Sequence, residues 1–426
     1  MGGSLRLLVF AIAFSQCAEA SDGYNFSSNL FEDVAPLLAL FGERVTMQFM
    51  SQSMGWADNV ILAMLPIGII TAVVSAIRVG GPLWLKAIIG RARENFANAE
   101  AELMSSTSNE VCELWNGNDV VRCMGSAPIT EFICLLPENV HNSGNDPTIR
   151  PKIVASDLDN ALAKGYLKRV EPNDQDADSE EASPIRDDES QAEKGQATTP
   201  EIIIVRNTLA HAPNISLNCH NMFDRTELRV VAAFGTILQL GVLALSAFVS
   251  FYPTKTFLEE GEPIAGYAFY CLAIGTILLV LGILLCAHVV ETSSHEIRYR
   301  PGLGKKARLI WLQKSKTVSD QSFDSYALFP MDETSLVVTS QRADKESGGT
   351  RLALETVVGT VLGLSGFILQ YVGLRGMHWS VLVAQLGAII VMAGLRAWVR
   401  RGLVKPLLCE RLTPGLELEW FSSQLG

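Results

Sequence analysis

The sequence predicts an α-helical integral membrane protein with about five transmembrane helices and a small cytoplasmic α/β module built from two loops. Hydrophobic residues make up 48% of the 426 residues and charged residues only 19%, below the usual quarter of a soluble domain. Apolar residues gather in blocks of about twenty, the length that spans a bilayer core. Basic residues flank these blocks, as they do on the cytoplasmic side of membrane proteins.

Residues 1–20 have the features of a secretory signal peptide. Arg6 precedes an apolar run, and Ala18 and Ala20 form an A-x-A cleavage site. An uncleaved signal anchor is the alternative. Residues 21–58 would then be an extracytoplasmic segment, in which the sequon beginning at Asn25 is a predicted glycosylation site.

Residues 59–77 contain no charge and are followed at once by Arg78, which predicts the first membrane-spanning helix. Pro66 should kink this helix, because proline removes one backbone donor. Residues 84–104 place apolar side chains at helical spacing, so we expect one amphipathic helix that enters the cytoplasm or lies along the membrane. An ordinary helix packed on its own domain is an equal alternative.

Residues 78–170 as a whole are predicted to form a cytoplasmic helix and a folded loop. Val120–Met124 and residues 129–136 are β-like runs bounded by Gly and Pro, and residues 157–170 look helical. Residues 171–200 are rich in Asp, Glu, Ser, Gln and Ala, which predicts a disordered acidic linker.

The second half of the chain alternates apolar blocks with shorter polar segments. Residues 201–229 are predicted to hold cytoplasmic strands at Glu201–Arg206 and Ile215–Asn218. The remaining predicted spans cover residues 230–252, 264–290, 352–374 and 379–399. The segments around them are an extracytoplasmic loop (253–263), a basic cytoplasmic loop (291–351), a turn (375–378) and a cytoplasmic tail (400–426).

The loop 291–351 contains two further β-like runs, at residues 308–312 and 335–339. Neither cytoplasmic loop has enough strands for an obvious core of its own. Because an isolated hairpin is only marginally stable in water, we expect strands of the two loops to pair in one module.

Gly359 and Gly363 form a G-x-x-x-G pattern in the fourth predicted span, which predicts close packing between helices. The fifth predicted span, across a very short turn, is the expected partner in preference to a second copy of the chain. The same pattern is common by chance.

The predicted spans hold few ionisable groups, which argues against proton- or ion-coupled transport. Glu355, His288 and Arg396 lie near span ends, where each can reach an interface. The buried polar candidates are Gln239, Gln370 and Gln385, and we expect them to form hydrogen bonds between helices.

No motif for catalysis, a cofactor or a metal is evident, so none of these is predicted. The sequence lacks a P-loop, G-x-S-x-G and H-E-x-x-H. Two groups, Cys112 with Cys123 and Cys134, and His211 with Cys219 and His220, contain metal-ligand residue types without the paired spacing of zinc sites. The formal net charge of −11 argues against a nucleic-acid partner.

The basic flanks predict the orientation. Five spans with an extracytoplasmic N-terminus and a cytoplasmic C-terminus place the basic loops in the cytoplasm, in the secretory pathway or plasma membrane. The cytoplasmic cysteines should then be reduced. Asn214, in a second sequon, should carry no glycan, because the glycosylating enzyme acts only in the lumen.

Several runs resemble a family of uncharacterised multi-pass membrane proteins of filamentous fungi. They are residues 31–81, GRAREN at 90–95, SSTSNEVCELWNG at 105–117 and EFICLLP at 131–137. The resemblance covers the first third of the chain well and the spans loosely. It implies a fungal membrane origin and supplies no activity or site residues.

Two functional hypotheses follow. The first is a non-enzymatic membrane scaffold or sensor that contacts the lipid bilayer and binds a cytoplasmic protein partner through its module. The rival is a channel or transporter for a small solute. A polar path lined by the three glutamines would favour transport, whereas dry packing would favour the scaffold.

Overall fold

The computed structural model describes residues 42–53, 55–137, 152–170, 201–207, 212–219, 225–252, 266–302, 304–343, 349–401 and 407–425. The predicted signal peptide, Asn25, the acidic linker 171–200, His211 and His220 lie outside these ranges. The chain divides into two compact units. We call residues 1–94, 223–293 and 344–401 the helical unit, and residues 95–222, 294–343 and 402–426 the sheet unit.

The described elements follow one another in this order. The helices are α1 (Glu43–Met50), α2 (Trp56–Ala63), α3 (Ile69–Gly80), α4 (Leu83–Ile88), α5 (Phe96–Leu103), α6 (Leu158–Ala163), α7 (Ile215–Asn218), α8 (Arg225–Phe251), α9 (Ala268–Thr292), α10 (Gly349–Arg375), α11 (Trp379–Val399) and α12 (Glu417–Gln424). The strands are β1 (Val111–Trp115), β2 (Val120–Met124), β3 (Ile129–Pro137), β4 (Lys152–Asp157), β5 (Leu167–Val170), β6 (Glu201–Arg206), β7 (Ser294–Pro301), β8 (Lys305–Gln313), β9 (Lys316–Val318), β10 (Gln321–Phe323), β11 (Tyr326–Phe329), β12 (Val337–Arg342) and β13 (Leu408–Arg411).

Four helices in the described part of the chain are long and apolar enough to cross a membrane, namely α8, α9, α10 and α11. They correspond to the second to fifth predicted spans. The start of α11 is set by His378, whose Nδ1 accepts a hydrogen bond from the backbone N–H of Ser380. The four long apolar helices indicate a membrane-embedded chain, and the sheet unit is a separate sheet-rich region.

The predicted first span, residues 59–77, is not a single helix. The prediction that it crosses the membrane as one continuous helix is therefore wrong. The chain leaves helical geometry between α2 and α3, at residues 64–68. Leu65 and Gly68 both have left-handed backbone conformations, with φ of 53° and 71°. Pro66 lies between them and has no N–H to continue a helix. The expected kink is a complete break.

The two short helices also enter and leave at the same end of the helical unit. At the start of α2, Asp58 binds Arg400, which directly follows α11. At the end of α3, a Cβ on Gly80 would lie 2.6 Å from Val289 of α9 and 2.8 Å from Thr356 of α10. Since α9 and α11 end where α10 begins, α2 and α3 form a re-entrant pair that does not cross the unit.

The sheet unit contains a six-stranded sheet in the order β13-β11-β8-β3-β6-β4 and a three-stranded sheet in the order β12-β7-β5. β3 pairs antiparallel with β8, from Ile129 opposite Gln313 to Pro137 opposite Lys305. The predicted pairing between strands of the two loops is thus confirmed. The predicted tail, residues 400–426, contains β13, which pairs with β11, and α12.

Three local predictions were wrong for identifiable reasons. Residues 157–170 are helical only in α6, because Gly165, with φ of 71°, turns the chain into β5. Residues 84–104 form two helices, α4 and α5, and Gly90 takes a left-handed conformation after the first. Ile215–Asn218 is a helical turn instead of a strand.

That turn is fixed by side-chain amides that take the place of strand hydrogen bonds. Asn218 accepts from the N–H of Val338 at 2.8 Å and donates to its carbonyl at 2.7 Å. Asn214 accepts from the N–H of Ser340 at 2.9 Å and donates to the carbonyl of Ser105 at 3.0 Å. The segment therefore lies along β12 without strand geometry.

The six-stranded sheet is covered on both faces. On one face, Ile133, Leu309 and Trp311 pack against Tyr299 and Val337 of the three-stranded sheet. On the other face, α12 places Phe421 on Phe132 with ring centroids 4.5 Å apart. Burial of these large side chains stabilises the module, at about 25 cal/mol for each Å² of apolar surface removed from water.

Candidate functional site: the break in the re-entrant pair

The break between α2 and α3 leaves backbone carbonyls without helical partners inside the helical unit, and Arg396 of α11 satisfies them. The Arg396 side chain is only 2% exposed. Its Nη2 donates to the carbonyl oxygens of Ile61 at 2.9 Å, Leu62 at 3.1 Å, Met64 at 2.7 Å and Leu65 at 3.1 Å. Its Nε donates to Ile61 at 3.1 Å.

This arrangement matches the charge of a helix end. The C-terminal carbonyls of a helix carry a partial negative charge, and a guanidinium has five donors in a fixed planar fork. Non-helical backbone at membrane depth is tolerated only where protein or water satisfies it. Arg396 therefore acts as a fixed internal cation that caps α2 and closes the break.

The prediction that Arg396 reaches an interface is wrong, since its side chain turns inward. Sequence reasoning missed the site, although a signal was present. Arg396 lies on the same helical stripe as Ile389, Met392 and Val399, and all four are buried. A charged residue on the buried stripe of an apolar helix is a functional-site hypothesis by default.

The other side of the break is held by α1. Thr46 donates a hydrogen bond from Oγ1 to the carbonyl of Ile67 at 2.8 Å. Gly68 lies so close that a Cβ there would be 2.4 Å from the same Oγ1. Because Gly68 also has a positive φ, a larger residue would be excluded both by its conformation and by the lack of space.

A group of buried and half-buried polar side chains lies where the re-entrant pair enters the unit. We call Asp58, Asn59, Glu291 and Arg400 the entrance cluster. Arg400 binds Asp58 at 3.0 Å and lies over the ring of Phe49, 4.5 Å from its centroid. Asn59 donates to Glu291 of α9. The cluster ties α1, α2, α9 and α11 together at one end.

Close helix packing does occur at the predicted glycines, with a different partner. A Cβ on Gly282 of α9 would lie 2.2 Å from the backbone nitrogen of Gly363, and one on Gly359 would lie 3.1 Å from the Cβ of Leu285. The helix against Gly359 and Gly363 is therefore α9, and the expected packing on the fifth predicted span is wrong. α9 and α10 run antiparallel, and both carry small residues along this contact, which lets their backbones approach closely.

The glutamines behave in two ways. Gln370 of α10 donates to Oγ1 of Thr276 in α9 at 3.1 Å, which confirms the expected hydrogen bond between helices. Gln239 and Gln385 are also buried, and within the described residues Nε2 of the first and Oε1 of the second form no hydrogen bond. Only Gln370 is therefore shown to join two helices.

In the sheet unit, Glu131 is a buried carboxyl group. It accepts a hydrogen bond from the indole N–H of Trp311 at 2.8 Å and a second from Asn207. Burial raises the pKa of Glu131 above its ordinary value of 4.5, and these two hydrogen bonds only partly oppose the effect. Two other buried carboxylates, Glu100 and Glu113, bind Arg342 and Arg122.

We expect Glu131 to make the stability of the protein depend on pH. Because its pKa is raised in the folded state, its favourable contribution is present below about pH 4.5 and declines as pH rises through the folded-state pKa. Glu131→Gln keeps an acceptor for Trp311 and removes the charge. The variant should gain stability relative to the natural protein between pH 4.5 and pH 7, measured by tryptophan fluorescence during thermal unfolding in detergent.

Glu419→Gln, at an exposed carboxylate of the same unit, controls for the loss of one charge. If the difference in melting temperature between the natural protein and Glu131→Gln is the same at both pH values, Glu131 is not the source of the dependence.

Three cysteines of the sheet unit, Cys112, Cys123 and Cys134, are buried thiols, whereas Cys219 is half-buried and Cys409 is exposed. Cys112 and Cys123 lie opposite each other in β1 and β2, and both are free. Burial raises the pKa of Cys112 to about 12 and that of Cys134 to about 11, so both are protonated at neutral pH. In the part of the chain that the structure describes, no three His, Cys, Asp or Glu side chains gather as a metal site.

Comparison with known proteins does not add to this site. The chain matches no protein-family model, no curated protein and no solved structure.

Proposed function

We propose that the chain is a non-enzymatic membrane scaffold or sensor whose sheet unit is a cytoplasmic module that binds a protein partner. One observation carries the proposal. The six-stranded sheet combines β3, β4 and β6 with β8 and β11, and then with β13, and a helical hairpin separates each group from the next. The module is thus complete only when both hairpins are in place, which links its state to the membrane.

The same connectivity supports an orientation. Two hairpins and a re-entrant pair each return the chain to the side from which it left, so all parts of the sheet unit share one side. The segments on that side are rich in Arg and Lys, which favours the cytoplasm. A cytoplasmic C-terminus follows. The extracytoplasmic location of Asn25 is a prediction from the signal-peptide features of residues 1–20.

Glycan mapping tests this orientation. In a eukaryotic membrane system we expect modification at Asn25 and none at Asn214. Asn214 is 1% exposed and uses both atoms of its amide in hydrogen bonds. Asn25→Gln should abolish the mass shift caused by the glycan, and Asn214→Gln should leave it unchanged. A glycan on Asn214 would place the sheet unit in the lumen.

The partner surface in this proposal is the edge of the six-stranded sheet formed by β4. Within the described residues β4 pairs with β6 alone, and Ile153 is 40% exposed. An open edge offers unpaired backbone groups to an added strand.

Proximity labelling in cells tests the partner surface. Ile153→Asp should remove the labelled neighbour, whereas Met331→Asp, at an equally apolar residue that is 57% exposed, should retain it. Both variants must reach the membrane in equal amounts. Labelling that persists in Ile153→Asp would exclude the β4 edge.

A second candidate function, transport of a small solute, is favoured by the re-entrant break itself. Discontinuous helices supply backbone groups for ligands in many transporters. Here Arg396 already occupies the freed carbonyls, and the backbones of α9 and α10 touch, which favours the scaffold. Uptake of labelled small solutes by proteoliposomes that contain the chain, above protein-free vesicles, would reverse this preference.

We further propose membership of the fungal membrane-protein family that the sequence resembles. The support is the set of runs at residues 31–81, 90–95, 105–117 and 131–137.

A further inference from the structure

The segment that follows the re-entrant pair exposes large apolar side chains. Leu83, Trp84 and Ile88 of α4 are 74%, 57% and 71% exposed, whereas Leu85 is buried and anchors the helix. Trp84 and Ile88, four residues apart, share one face of the helix. In water such a group would be unfavourable, so the environment that meets it must be partly apolar.

The same segment carries positive charge. Arg91 and Arg93 are exposed directly after α4, and Lys86 lies within it. Tryptophan at the level of the headgroups, apolar side chains on one side and basic residues beside them are typical of a segment that lies in the membrane interface. Charge complementarity selects anionic headgroups over zwitterionic ones.

The segment is fixed in place by the ion pair between Arg78 and Glu94, which we call the clasp. Arg78, near the end of α3, binds both oxygens of Glu94, with Nε–Oε1 and Nε–Oε2 distances of 3.1 Å and 3.0 Å. Both side chains are nearly buried, at 5% and 6% exposure. The N–H of Arg91 also donates to the carbonyl of Lys86 at 2.8 Å. The loop between residues 78 and 94 is therefore closed and pre-organised.

The position of the loop between residues 78 and 94 follows from the position of α3, which directly precedes it. Gly80 lies at the end of the helical unit where α9 and α11 end and α10 begins. This end is one boundary of the membrane-spanning helices, and α4 begins at Leu83, directly after α3 ends. We propose that residues 82–93 form an interfacial platform that binds the anionic phospholipid headgroups of the leaflet at this end.

The platform makes the chain selective among lipids, independently of the scaffold proposal. Leu83, Trp84 and Ile88 enter the boundary of the acyl chains, and Arg91 and Arg93 contact headgroup phosphates and carboxylates. The clasp fixes the orientation of the three apolar side chains relative to the two arginines. An anionic lipid is consequently enriched next to the re-entrant pair.

Energy transfer from tryptophan to lipid tests the platform. The full chain is placed in phosphatidylcholine nanodiscs that contain a small fraction of dansyl-phosphatidylserine or, for comparison, dansyl-phosphatidylcholine. We expect stronger transfer to the serine lipid. The double variant Arg91→Gln with Arg93→Gln should reduce this enrichment about fivefold for each arginine removed, which corresponds to about 1 kcal/mol per charge. Trp84→Phe should lower transfer to both lipids.

The matched control removes two exposed lysines of the sheet unit, Lys314→Gln with Lys316→Gln, and should keep the full enrichment. Equal transfer to both lipids in the natural chain would overturn the proposal. So would an enrichment that survives in Arg91→Gln with Arg93→Gln, or one that the control variant loses to the same extent. Raising the salt from 0.1 M to 1 M should weaken the enrichment in the natural chain, because the charges are screened.

Discussion

Replacing Arg396 with methionine is expected to destabilise the helical unit by at least about 3 kcal/mol and to remove most of the folded protein from the membrane. Four buried carbonyl oxygens lose their donor, and each unsatisfied buried group costs about 1–3 kcal/mol before relaxation. The measurement is the yield of monodisperse protein after detergent extraction, together with its melting temperature.

Arg401→Met provides the matched control on the next turn of the chain. Arg401 is 45% exposed and binds Glu227 at 3.2 Å, so the control should cost less than about 1 kcal/mol. Arg396→Lys should fall between the two, because an ammonium keeps the charge and reaches fewer of the carbonyls. A melting temperature for Arg396→Met equal to that of the natural protein would show that the break does not depend on this side chain.

Gly282→Ala is expected to force α9 and α10 apart and to lower stability by about 3 kcal/mol or more. The added Cβ would lie 2.2 Å from the nitrogen and 2.5 Å from the Cα of Gly363. Both atoms belong to backbone, so no side chain can move aside. Overpacking in a close-packed interior costs about 1–3 kcal/mol even where side chains can adjust. Thermal unfolding in detergent measures the loss.

Gly387→Ala in α11 and Gly241→Ala in α8 are the controls for this change. A Cβ at either position meets nothing within 4 Å. Each should be neutral or should stabilise its helix by about 0.5–1 kcal/mol, because alanine loses less backbone freedom than glycine on folding. If Gly282→Ala matches these controls, the two backbones do not touch in solution.

Much of the fold could be predicted because the forces that set it are local in sequence. A bilayer imposes a length on apolar helices, so the blocks that became α8 to α11 were evident. Glu201–Arg206 was also identified correctly, because a β-branched run between polar segments is typical of a buried strand. The pairing of β3 with β8 followed from the marginal stability of isolated hairpins.

The candidate site was not predictable in the same way. Pro66 indicates a kink, but a complete break is stable only if distant groups satisfy the freed carbonyls. Arg396 does so from α11, far along the chain. Whether residues 59–77 cross the membrane or return is likewise decided by Asp58 with Arg400 and by Gly80 against α9. No periodicity in the sequence records those contacts.

The order of strands in the large sheet has a consequence for biosynthesis. β3 and β6 leave the ribosome before β8, and the whole hairpin of α8 and α9 must be inserted between them. At roughly 5–20 residues per second, the edge of β3 waits on the order of ten seconds for its partner. An unpaired strand edge on a nascent chain promotes aggregation, because it can pair with another chain. We expect a chaperone to protect the β3 edge at this stage of translation. A chain truncated before β8 should yield no soluble module.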